Sequence, residues 1–61
     1  MIEVEKRTVV DANGMTVTYR VILNRHVNDP ISIHDTAKEA NAAAFTLATA
    51  KGITTLSLAF S

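Results

Sequence analysis

The chain has 61 residues, of which 48% are apolar and 20% charged, and its six basic and six acidic side chains cancel to a formal net charge of zero. This length makes one domain, residues 1–61, and the composition excludes charge-driven disorder and argues against a polybasic surface for nucleic acid or anionic lipid. No apolar stretch approaches the roughly 18 residues of a transmembrane span, the opening Met-Ile-Glu-Val-Glu lacks the pattern of a secretory leader, and cysteine is absent. The expectation is a small soluble cytoplasmic protein with no cofactor, no metal and no membrane contact.

Ile2, Val4, Lys6, Thr8 and Val10 fall on one side of a strand, and Glu3, Glu5, Arg7 and Val9 on the other. This is period two, with one largely apolar and one charged face. Asp11-Ala12-Asn13-Gly14 follows, and Asn-Gly between two β-rich runs is a strong hairpin signal. A second strand from Met15 to Asn24 puts Met15, Val17, Tyr19, Val21 and Leu23 on one face, with Thr16, Thr18, Arg20 and Ile22 on the other. Charge selects the register. A two-residue Asn13-Gly14 loop sets Arg7 against Arg20, whereas a loop from Asp11 to Gly14 sets Glu5 against Arg20 and Lys6 against Tyr19. Opposite charges across a ladder help and like charges cost, so the longer loop is expected.

Residues 25–35 form a connection, in which Pro30 holds Asp29 extended and Ile31 and Ile33 are candidates to tuck under the sheet as a very short strand. Thr36-Ala37-Lys38-Glu39 reads as a capping box, with Thr36 or Asp35 as N-cap. The predicted helix runs to about Lys51, with Gly52 as its left-handed terminator and Ala37, Ala40, Ala44, Leu47 and Ala48 as its apolar stripe. Ile53 to Ser61 returns to period two as a third strand. The predicted fold is an α+β two-layer sandwich of order ββαβ, with one helix on one face of a three-stranded sheet. The last strand lies beside the first, antiparallel, or beside the second, parallel. The expected core is Val4, Val17, Val21, Leu23, Ala40, Ala44, Leu47, Leu56 and Leu58.

The chemistry-bearing residues are sparse. His26, Asp29, His34 and Asp35 are near in sequence but match no recognised metal-ligand spacing, and Asp29 and Asp35 have turn and cap roles. The serines and threonines lie outside any nucleophile-elbow context, and both glycines have structural roles, so no phosphate-cradling loop is available. No catalytic residue is therefore assigned, and the protein is expected not to be an enzyme. Arg7 and Arg20 share the outer sheet face, with Arg25 at its end, which makes a nucleic-acid-binding ribbon the alternative reading; Glu3 and Glu5 interrupt that face, and no aromatic side chain stacks there.

Protein association is the leading reading. The run Thr54-Thr55-Leu56-Ser57-Leu58-Ala59-Phe60 carries no charge and no proline, and such an edge pairs with another strand unless it is covered. Phe45 points away from the alanine stripe, and a core built from small aliphatic side chains is thin for 61 residues. A homodimer is expected, with Phe45, Ser57, Leu58 and Phe60 at its interface, together with a protein partner of unknown identity. The stretch Asp35 to Ala44 after a hairpin resembles the helix start of many small hairpin–helix–strand proteins, antitoxin-like and phage-encoded modules among them. The resemblance covers that helix start. The expectation of a regulator or inhibitor from a phage or other mobile element rests on the small size and the absence of catalytic chemistry.

Overall fold

The hairpin forms in the register that charge pairing favours. In the computed structural model, which describes residues 1–24 and 29–59, strand β1 (Ile2–Asp11) pairs antiparallel with β2 (Gly14–Ile22). Glu5 lies opposite Arg20 and Lys6 opposite Tyr19. The ladder continues to Asp11 opposite Gly14, so the tight turn holds Ala12 and Asn13, and Gly14 begins β2 rather than closing the loop. Asn13 takes no positive φ, its N–H donates to Asp11 Oδ1 at 2.8 Å, and Gly14 has φ +115°. This placement resembles a type I turn followed by a glycine bulge.

After residues 25–28, the chain returns as a third strand, β3 (Ser32–His34), antiparallel to β2. Helix α1 (Ala37–Lys51) and the two-residue strand β4 (Leu56–Ser57) follow. The result is a four-stranded sheet of order β3-β2-β1-β4 with one helix, an α+β fold with one strand more than the predicted ββαβ layout. The added strand explains a second departure. β4 lies beside β1 but runs parallel to it, which neither predicted placement allowed. Because β3 already reverses the chain, α1 carries it across the sheet from one edge to the other, and β3, β1 and β4 share one direction. Of the predicted third strand over residues 53–61, the described residues 53–59 form a strand at Leu56–Ser57.

The short strand also takes the opposite phase to the one predicted. Ser32 and His34 are half-buried, whereas Ile31 and Ile33 are 53% and 59% exposed. Register decides this: Ser32 lies opposite Val21 and His34 opposite Tyr19, both inward residues, so Ile33 shares the outer face with Arg20. The inward pair remains polar-satisfied, because His34 Nε2 and Ser32 Oγ hydrogen bond at 2.8 Å.

The helix begins and ends where its caps dictate. The Thr36 hydroxyl accepts from the Glu39 N–H at 3.2 Å. At the other end, Gly52 takes φ +67°, its N–H reaches Thr49 O, and the Ile53 N–H donates to Ala48 O at 2.9 Å, a Schellman arrangement. The core joins Ile2, Val4, Tyr19 and Val21 of the sheet to Ala37, Ala40, Ala44 and Ala48 of the helix, and Val17, Leu23, Leu47, Ile53, Leu56 and Leu58 pack around it. Of the nine expected core positions, Val4, Val21, Ala40 and Ala44 are buried in this cluster, and Val17, Leu23, Leu47, Leu56 and Leu58 are partly buried against it. Ile2, Tyr19, Ala37 and Ala48 are buried there as well, outside the expected list.

The helix covers only the base of the hairpin. In β1 the first three residues are buried and the next seven are exposed. At about 3.3 Å per residue those seven extend for about 20 Å. The molecule accordingly measures 42 × 24 × 14 Å, and its radius of gyration, 12.0 Å, exceeds the about 10.5 Å that its length implies for a compact domain.

Two substitutions test this account. Ala44→Leu inserts a larger side chain where helix and sheet are in contact and should destabilise by about 1–3 kcal/mol, read as a lowered melting temperature. A Cβ at Gly14 would meet nothing within 4 Å, so conformation alone forbids a side chain there. Gly14→Val should therefore destabilise by more than Gly14→Asn in denaturant titration, because asparagine tolerates positive φ far better than a β-branched residue.

Candidate functional site

The residues that differ most from an ordinary soluble surface lie on the hairpin arm. The inner face continues from the core through the half-buried Val17 and the exposed Lys6 to Thr8, Val10 and Met15, which the helix leaves uncovered. Val10 is 75% and Met15 68% exposed. Val10, Met15 and Val17 follow the strand period of two, so apolar residues continue on the inner face beyond Lys6 and Thr8, but α1 supplies cover only for the base of the hairpin.

Both long edges of the arm lack a strand partner among the described residues. β1 bonds β4 only at Ile2 and Glu3, and β2 bonds β3 only at Tyr19, Arg20 and Val21. The backbone groups of Glu5–Asp11 and of Gly14–Thr18 are paired within the hairpin on one side alone. An edge of this length is a template for another strand.

The expected interface residues are dispersed. Phe45 stands on the outer side of α1, 53% exposed. Ser57 is exposed in β4 opposite Glu3, and Leu58 is half-buried against the core. Phe60 lies outside the described residues. The terminal segment is not the long open strand its composition suggests. Beyond Ser57 it leaves the sheet and is held by Asn41, whose Nδ2 donates to Ala59 O at 2.7 Å while its Oδ1 accepts from the Ala59 N–H at 3.1 Å. The amide thus supplies the two hydrogen bonds that a neighbouring strand would otherwise make. This residue was missed in the sequence reading, although an asparagine within an alanine-rich helix, where its propensity is poor, was a usable signal.

The arginines do not form a binding row. Arg7 is exposed on the outer face. Arg20 is half-buried between Glu5 and Ile33, with Nη1 3.7 Å from Glu5 Oε1. Arg25 lies outside the described residues, as does His26 of the histidine and aspartate set. Asp29 and Asp35 are exposed, while His34 turns inward onto Ser32. Among the described residues, no three histidine or acidic side chains come near enough to hold a metal ion, and no helix is long and apolar enough to cross a membrane.

Among the described residues, Ser32 and His34 form the hydroxyl–imidazole pair in hydrogen-bonding contact. Activation of a serine also requires a third group to orient the base and donors for an oxyanion. Among the described residues no carboxylate orients the His34 ring, and the contact is one between alternate residues of a single strand face. No family model matches the chain, and comparisons with curated proteins and with solved structures give no match.

The tail contact yields its own prediction. Asn41→Ala removes both bonds to Ala59 and should cost about 1–2 kcal/mol. The Ala59 amide should then lose hydrogen-exchange protection while the Val21 amide keeps most of its own.

Proposed function

We propose that the protein is a non-enzymatic interaction module that acts by surface binding as a homodimer. The observation that carries this reading is the hairpin arm: exposed apolar residues on its inner face, Val10 and Met15, and two backbone edges without a strand partner among the described residues, extending past helix α1. In a thin-cored chain of 61 residues, extending the sheet with a second copy adds buried area that the protomer lacks. A regulatory or inhibitory role fits such a module, because occupying a partner's edge or groove requires geometry and hydrogen bonds but no catalytic group.

The second reading, a nucleic-acid-binding ribbon, draws on the exposed Arg7 and on the two-stranded shape of the arm. Three features weigh against it: the ion pair of Arg20 with Glu5, the presence of Glu3 on the same face, and zero net charge.

Two measurements separate these readings. Titration of a labelled random duplex at low and at raised salt should give no binding. Affinity that falls steeply with salt would instead favour the ribbon. The double variant Val10→Lys/Met15→Lys, with both changes on the exposed inner face, should remain folded and lose the proteins, its own chain included, that the unaltered protein retains from lysate of its source cells. Equal retention by both would overturn the assignment of binding to the arm.

A further inference from the structure

The open edge of β1 carries a charge pattern that is complementary to itself in one register. We propose that this edge is a homotypic site, and that a second copy pairs with it antiparallel about a two-fold axis at Val9. This deepens the interaction-module reading by naming the partner of the arm, and it rests on that reading.

Hydrogen-bond direction comes first. Successive residues of a strand turn their backbone groups to opposite sides. The Ile2 N–H donates to Thr55 O on the β4 side at 3.1 Å, so the even-numbered residues of β1 face that edge. Past the short β4 pairing, Lys6, Thr8 and Val10 therefore present N–H and C=O groups outward, while Arg7, Val9 and Asp11 bond β2. No proline interrupts this stretch, and every residue from Glu5 to Asp11 is exposed.

Symmetry limits the choices that remain. In a two-fold antiparallel pair, one residue faces its own copy, and the others pair at equal distances on either side. Centring on Arg7 or Lys6 sets like charges face to face. Centring on Thr8 opposes Glu5 to Asp11 of the second copy, again like charges. Centring on Val10 pairs no charges and leaves little ladder before the turn. Centring on Val9 opposes Arg7 to Asp11 of the second copy, twice by symmetry, and sets Thr8 opposite Val10. Lys6 then meets Ala12 beside the turn, clear of any cation. Charges on an exposed edge discourage indiscriminate pairing, and here the Val9-centred alignment is the one that sets opposite charges together over a full ladder.

The backbone supports the same centre. Thr8 and Val10 are the outward-bonding residues, so each Thr8–Val10 couple exchanges N–H···O bonds across the junction. Val9 and the Arg7–Asp11 couples occupy non-hydrogen-bonded positions, where facing side chains come nearest. On the inner face the result is a continuous row running Met15, Val10, then Thr8 and Val17 of the second copy, because Val10 already pairs with Met15 and Thr8 with Val17 within each hairpin. The apolar strip left bare by α1 thereby becomes the middle of a four-stranded arm.

Sedimentation from low to high micromolar concentration should show a monomer–dimer equilibrium. Arg7→Glu and Asp11→Lys should each weaken association by about tenfold or more, and an equimolar mixture of the two should restore it, because each copy then meets the opposite charge. Asp11 also accepts from the Asn13 N–H, so the folding of both variants is checked by circular dichroism, and a second test does not use Asp11. The chain contains no cysteine. In a glutathione buffer, Val9→Cys should oxidise to a disulfide-linked dimer at low micromolar concentration, because a non-hydrogen-bonded pair holds its Cα atoms within disulfide range. Thr16→Cys, one strand away, should remain uncrosslinked. A folded wild-type monomer throughout the range would overturn the second copy as partner. If the lysine variant of the arm still loses its retained proteins, the interaction-module reading survives that result. A dimer indifferent to both charge reversals, with Val9→Cys uncrosslinked, would overturn this register and move the interface to another surface.

Discussion

Ala40 and Ala44, both fully buried, set how near α1 comes to the sheet, and that approach determines what the helix covers. A methyl side chain lets helix and strand backbones come close, so Ile2, Val4, Tyr19 and Val21 pack against the helix without large residues from its side. The arrangement is dense but small. The alanine stripe and the Thr36 and Gly52 caps hold the fifteen-residue helix against the base of a ten-residue strand. The apolar face written along the hairpin therefore outlasts its cover. The exposure of Val10 and Met15 follows from the size of the helix rather than from any irregularity in the strands.

The same contact explains the connectivity. A helix that crosses the sheet can join its two edges only if the chain enters and leaves in the same direction. β3 supplies that entry by running antiparallel to β2, and β4 supplies the exit beside β1. Asn41 then completes the far edge, binding Ala59 by both ends of its amide, so that the uncharged terminal segment is drawn onto the helix. That segment is thus held inside the protomer as far as Ala59. The long unpaired edges belong to the hairpin instead.

Much of this was legible in the residues. The alternation of β1 and β2, the register chosen by Glu5 and Arg20, the capping box and the glycine stop each combine local chemistry with a matching tertiary outcome, and consistency of that kind makes elements readable. What escaped reading depended on relations between distant segments. Ile31 and Ile33 look inward by composition, but their phase is fixed by pairing with Tyr19 and Val21, and a Ser32–His34 hydrogen bond satisfies the polar atoms that take the inner side. The direction of β4 depended on whether three residues after Pro30 paired as a strand. For the site, the association argument began from the terminal segment and Phe45, while the geometry supports the arm. The arm's apolar residues were visible as a strand face, but their exposure depended on where the helix stops.

The account turns on whether the outward-facing amides of β1 have a partner in solution. Residue-resolved hydrogen exchange across a concentration series reads this directly, because β2 protects the odd-numbered amides at every concentration and the even-numbered ones depend on a second molecule. The predicted result is alternating: Arg7 and Val9 slow throughout, Thr8 and Val10 fast when dilute and slow when concentrated. Thr8 and Val10 amides that stay fast at every concentration, or protection that grows on the outer side of α1 around Phe45 instead, would contradict it.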